Sequence, residues 1–182
     1  MRKGFSLLEI MIAMVVLTTA ILGLVTAIIT SMRLTTTNRE NTLAMNAARR
    51  QIEEMQAWPG GFSEIFAAYN NATGDDAGLA AAAPGGTFTV SGLRPISTDP
   101  AVGTVLYNVD SSGPGSESLR EFSVDPTFGP MMGMPKDLSG DGVVDANDHA
   151  ADYTLLPVVV RIRWDGAMGQ RETFFTTQLV NR

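Results

Sequence analysis

Residues 5–32 read FSLLEIMIAMVVLTTAILGLVTAIITSM, an apolar run carrying one charge, Glu9. As a helix it would extend about 42 Å at ~1.5 Å per residue, enough to cross a hydrocarbon layer of ~30 Å. The polar stretch 33–42 that follows holds no helix breaker. Beyond it Leu43, Met45, Ala48, Ile52 and Met55 recur at helical spacing, while Arg49, Arg50, Glu53 and Glu54 occupy other faces. Pro59 disfavours helical geometry at Trp58, and Gly60-Gly61 complete the stop. The pattern therefore predicts one helix from Phe5 to about Ala57, roughly 80 Å long. Its first half, 5–32, suits lipid or a filament core. Its second half, 33–58, would lay one stripe on a globular region.

After Phe62 the texture changes. FSEIFAAYNN predicts a short helix from Phe62 to about Tyr69, and residues 71–86 form a small-residue loop. Short β-like runs follow at 87–93, 103–112 and 119–126. The two best are YTLLPVVVRIRWDG (153–166) and QRETFFTTQLVNR (170–182), which predict a hairpin with a turn opening at Asp165-Gly166. Val158, Val160, Ile162 and Trp164 share one face, opposite Val159, Arg161 and Arg163. Helix first and antiparallel strands afterwards make an α+β fold, with a sheet of four to five strands packed on the helix. The expected divisions are 1–4, 5–32, 33–58 and a head at 59–182.

Charge sharpens this division. The 182 residues carry a net charge of −6. Residues 1–57 hold six basic side chains and four acidic ones, a balance of +2; seven basic and fifteen acidic ones beyond them give −8. Such a surface disfavours nucleic acid as a partner. No cysteine is present, which excludes disulfides, thiolate metal sites and a cysteine nucleophile. With His149 as the single histidine, no nucleophile–base set is in view, and the expectation is a protein that is not an enzyme.

Glu9 decides between readings of the apolar segment. A secretory signal peptide has a core of roughly 7–15 apolar residues before a small-x-small cleavage site, and this run is too long. A generic signal anchor leaves Glu9 unexplained. A carboxylate in a membrane segment costs on the order of 2.5–3.5 kcal/mol and calls for a partner. Cleavage after Gly4 would supply one, because the new α-amino group of Phe5 would stand four residues, about one turn, before Glu9.

Lys3-Gly4-Phe5-Ser6-Leu7-Leu8-Glu9 resembles the prepilin-peptidase recognition motif of type IV pilins and type II secretion pseudopilins. The resemblance is strong over residues 1–35 and weaker to about 58. It implies cleavage between Gly4 and Phe5, N-methylation of Phe5, and pairing of Glu9 with an N-terminal amine during assembly. It implies a single-pass protein of the inner (cytoplasmic) membrane with an extracytoplasmic head, later built into a pilus or pseudopilus. The implied partners are prepilin peptidase, other pilins or pseudopilins through the N-terminal helix, the inner-membrane assembly platform and membrane lipid. The expected function is that of a minor pilin or pseudopilin. The alternative is a membrane-anchored extracytoplasmic calcium-dependent binding module.

Residues 137–148 read DLSGDGVVDAND. The spacing fits a twelve-residue calcium loop. Asp137 takes position one, Ser139 three, Asp141 five, Val143 seven through its carbonyl, Asp145 nine directly or through water, and Asp148 twelve. Calcium takes six to eight oxygens at about 2.3–2.6 Å, and Gly142 permits the sharp turn. Val144 is expected to tuck into the domain. Ser139 is a weaker ligand than Asp, and Asp148 is shorter than the usual Glu. The stretch resembles the dockerin-type calcium loop, which uses Asp at the last position. Dockerins carry two such loops and this chain has one, so cohesin binding is not implied. The expected cofactor is Ca2+. His149, just outside the loop, is expected at the surface with no role, and the Met131, Met132, Met134 cluster is expected to pack rather than bind copper.

Overall fold

The computed structural model describes residues 6–72, 74–113 and 116–181. The cleavage and methylation positions Gly4 and Phe5 lie outside the described residues. The chain is α+β. It divides into two units, one ending at Arg39 and the other beginning at Glu40. Helix α1, Leu7–Gln56, runs through both as 50 continuous residues.

In the first unit α1 is a bare apolar helix. Leu7, Leu8, Met14, Leu22 and Met32 are all at least 65% exposed, so none of the described residues covers them. The helix is long and apolar enough for a single membrane span. Several of its threonine hydroxyls bond back along the helix. Thr18 donates to the Met14 carbonyl at 2.6 Å, Thr26 to Leu22 at 2.9 Å and Thr30 to Thr26 at 2.9 Å. Such back-bonding suits a helix surface that water does not reach.

The second unit builds its core on the remainder of α1. Ala44, Ala48, Gln51 and Met55 are buried and spaced to share one stripe. Four of the expected stripe residues hold their place, with Leu43 and Ile52 partly buried against the core and Ala48 and Met55 inside it. Met45 is 44% exposed, so the stripe passes beside it through Ala44. A 3₁₀ turn at Phe62–Glu64 and α2, Ile65–Tyr69, follow as the expected short helix.

The main sheet is antiparallel in the order β1 (Thr87–Phe88), β2 (Gly103–Leu106), β5 (Leu155–Gly166), β6 (Gly169–Val180). β3 (Val109–Gly113) and β4 (Ser116–Leu119) form a separate pair. The hairpin β5–β6 pairs over twelve positions, from Leu155↔Val180 to Gly166↔Gly169, and turns through Ala167-Met168. Leu156, Val158, Val160, Ile162 and Trp164 are at most 1% exposed, and this is the face toward α1. There the Trp164 indole donates to Glu40 at 3.3 Å. On the opposite face Arg163 meets Glu172 at 3.6 Å and Phe174 stacks near Phe128 of α3 (Phe128–Met132) at 5.9 Å.

Three sequence expectations change. The run 103–112 is two strands in two sheets. Of 87–93 only Thr87–Phe88 is strand. Of 119–126 only Leu119 is strand, and the rest is irregular. Asn108 accounts for the last of these. Its side-chain amide donates to the carbonyls of Arg120 and Phe122, both at 2.7 Å, and accepts the Val124 N–H at 3.0 Å. A side chain thus replaces the strand partner that this segment lacks.

Candidate metal centre

The loop 137–148 connects α3 to β5 and is clamped at both ends. At its start the Leu138 carbonyl accepts the N–H groups of Thr154 at 2.7 Å and Leu155 at 3.1 Å. At its end the Asp148 carboxylate accepts the Leu119 N–H at 2.9 Å, and the His149 N–H donates to the Leu119 carbonyl at 3.0 Å. β5 and β4 therefore fix the two ends of one tight coil.

Inside the coil the aspartates organise backbone. Asp137 accepts from Gly140 at 2.6 Å, from Gly142 at 2.8 Å and from the Ser139 hydroxyl at 3.2 Å. Gly140 and Gly142 have φ of 84° and 87°, a left-handed geometry that the turn requires and glycine adopts readily. These N–H groups, Gly142 foremost, hold the Asp137 carboxyl below the ordinary aspartate range. Asp141 accepts from Val143 at 2.8 Å, and Asp148 also accepts from Ala150 at 3.1 Å. Val143 and Val144 are 57% and 47% exposed. Val144 therefore does not tuck into the domain; the buried apolar residue of the coil is Leu138.

The centre of the arrangement is a residue from outside the loop. Glu121 is fully buried. One of its oxygens accepts the Leu138 N–H at 2.6 Å and the Ser139 N–H at 3.2 Å, and the other accepts the Asp145 N–H at 3.0 Å. A buried carboxylate is costly unless paired and hydrogen-bonded, and three N–H groups supply much of the compensation.

His149 supplies more. It is 4% exposed, so the expected surface histidine is a core one. Its Nε2 lies 3.1 Å from Asp145 Oδ1 and 3.6 Å from Glu121 Oε2, and its Nδ1 lies 3.1 Å from Asp152 Oδ1. Burial opposes the imidazolium, yet the bonds to Asp145 and Asp152 and the charge of Glu121 together raise its pKa. Asp145 is correspondingly lowered, by the Asn147 N–H first and by His149 next. Lys136 directs its ammonium to Gln178 at 2.8 Å.

Two donor sets result. The loop set of Asp137, Ser139, Asp141, Val143, Asp145 and Asp148 offers oxygen alone, which suits a hard cation such as calcium. Glu121, Asp145 and His149 bring one ligand atom each to within 4.8 Å of one another, with nitrogen among them. Asp145 belongs to both. The structure joins Asp137 with Ser139 and Asp145 with His149, while Asp141 and Asp148 bond to backbone. Residues 145–152 form no helix, so the spacing of Asp145, His149 and Asp152 carried no signal for the histidine. Glu121, sixteen residues before the loop, carried none.

Comparison with protein-family models, with curated proteins and with solved structures finds no match.

Proposed function

We propose that this chain is a minor pilin or pseudopilin, a filament subunit processed by prepilin peptidase between Gly4 and Phe5. The observation that carries the reading is Glu9 in the first turn of an apolar helix whose sides are bare. Such a surface needs lipid before assembly and neighbouring helices after it. A carboxylate there needs a cation, and the amine released at Phe5 is the nearest one the chain can make. N-methylation leaves that amine charged.

On this reading the protein starts as a single-pass protein of the inner membrane with an extracytoplasmic head. Its partners are the peptidase, the assembly platform, membrane lipid and other pilins or pseudopilins. The role is mechanical, with no catalytic step. Calcium, held by Asp137, Ser139, Asp141, the Val143 carbonyl and Asp148, with Asp145 direct or through water, stiffens the head. The second reading, a membrane-anchored calcium-dependent binding module, draws on that same oxygen set.

Intact mass and N-terminal sequencing of protein from native membranes test the proposal. The expected mature chain starts at methylated Phe5. A working assembly built from chains that still begin at Met1, or that are trimmed after Thr30, overturns it.

A further inference from the structure

We propose that Glu121, Asp145 and His149 form a binding site for a transition-class divalent cation, with zinc as the reference ion. The site is chemically distinct from the oxygen-only calcium loop beside it. It stands whether or not the chain is a filament subunit.

Both ring nitrogens of His149 face carboxylate oxygens at 3.1 Å, Asp145 on one side and Asp152 on the other. A neutral imidazole has one N–H and one lone pair. It satisfies one carboxylate and sets its lone pair against the other. A second ring proton resolves the conflict where the imidazole is charged, and a divalent cation at Nε2 resolves it for the neutral ring. It takes the nitrogen lone pair, and Nδ1–H donates to Asp152.

The oxygens are available. Glu121 Oε2 accepts one backbone N–H, from Asp145 at 3.0 Å, and Asp145 Oδ1 accepts one, from Asn147 at 2.7 Å. Each carboxylate oxygen keeps a second lone pair. The separations of 3.1 Å and 3.6 Å from Nε2 are also apt. Tetrahedral zinc with bonds of ~2.0–2.2 Å spaces its ligand atoms roughly 3.3–3.6 Å apart. These two separations need change only by tenths of an ångström, and all three ligand atoms lie within 4.8 Å of one another.

The outer contacts have the form such sites use. Asp152 holds the far nitrogen of the ligating histidine, fixing the tautomer and the ring plane. Three backbone N–H groups hold Glu121 in place. The Asp145 side chain is 33% exposed, leaving a solvent side for a fourth ligand such as water. An imidazole among the ligands selects zinc-like ions over calcium and magnesium, which favour oxygen. Three carboxylates around one imidazole favour a divalent charge.

The test uses the full chain in detergent, stripped by a chelator. Cobalt(II) is titrated in and followed by its visible absorption, zinc is then used to displace it, and the His149 ring nitrogens are followed by NMR. Expected are one cobalt per chain with the intense bands of low-coordinate cobalt, displacement by zinc, and loss of the Nε2 proton with Nδ1–H retained. His149→Gln should abolish the bands. Asp152→Asn should keep them while weakening affinity about 10–100-fold. Asp141→Asn should leave them unchanged while calcium binding weakens. Absence of saturable cobalt or zinc binding overturns the proposal, as does a His149 ring protonated on both nitrogens in excess zinc. Bands that survive His149→Gln also overturn it. If His149→Gln does not fold, the wild-type NMR and Asp152→Asn decide.

Discussion

The carboxylate of Glu121 accepts the backbone N–H of Asp145 at 3.0 Å, joining a residue just past β4 to the ninth position of a loop that begins sixteen residues later. The same carboxylate holds Leu138 and Ser139 at the loop's start. One buried anion therefore sets the distance between the two halves of the coil, and the loop's shape depends on it whether or not a cation is bound.

Glu121→Ala should accordingly be among the most damaging single changes in the head. It strands three N–H groups and removes a buried partner of His149, at a cost of about 3–5 kcal/mol by analogy with broken buried ion pairs. Denaturant unfolding followed by the fluorescence of Trp58 and Trp164 measures this. A loss below about 1 kcal/mol would mean that the loop holds its shape through Asp137 and Asp148 alone. Calcium affinity should fall in parallel.

Acid should loosen the start of α3. The Phe128 and Thr127 N–H groups, in that order, hold the Asp125 carboxyl below its ordinary value. A carboxylate with a depressed folded pKa contributes stability that is fully present above its unfolded pKa of about 3.9 and is lost as pH falls through the lower folded value. Asp125→Asn should remove this part of the acid limb below about pH 4 and leave the pH dependence near neutrality unchanged. Unfolding curves of both proteins from pH 2 to 7, on an approximate grid of half units, would show it. Identical acid limbs would sink the assignment.

The stripe of α1 in the second unit makes an opposed pair of predictions. Ala48 is fully buried, so Ala48→Leu overpacks the seam and should cost about 1–3 kcal/mol. Met45 is 44% exposed, and Met45→Lys should stay within about 0.5 kcal/mol. Melting temperatures of the two variants discriminate. A larger loss for Met45→Lys would restore the stripe that helical spacing alone suggests.

Glu9→Ala should leave membrane insertion intact, because removing a charge from an apolar helix only eases partitioning. Under the proposed function it should nevertheless reduce incorporation into filaments by an order of magnitude or so, a loss of about 1.4 kcal/mol per subunit. Sheared-filament immunoblots against total membrane protein give the ratio. Unchanged incorporation would favour the tethered binding module.

The sequence by itself determined the elements whose signal is local. The apolar run and its continuation to Pro59 specified α1, because helical periodicity and a breaker act within a few residues. Alternation specified the β5–β6 hairpin, although the turn lies at Ala167-Met168, two residues beyond Asp165-Gly166. The spacing of aspartates and glycines marked 137–148 as a tight acidic coil, since each carboxylate bonds to backbone within five residues. Tertiary structure alone decided the rest. Asn108 ends one strand pairing and stabilises an irregular segment through partners twelve to sixteen residues away. Glu121 reads as an ordinary strand glutamate until folding buries it beneath the loop. His149 reads as a loop-edge residue until β4, the loop and Glu121 close around it. The physical reason is the same in each case. Burial and charge pairing depend on which distant segments meet, and a local pattern of residue types carries no record of that meeting.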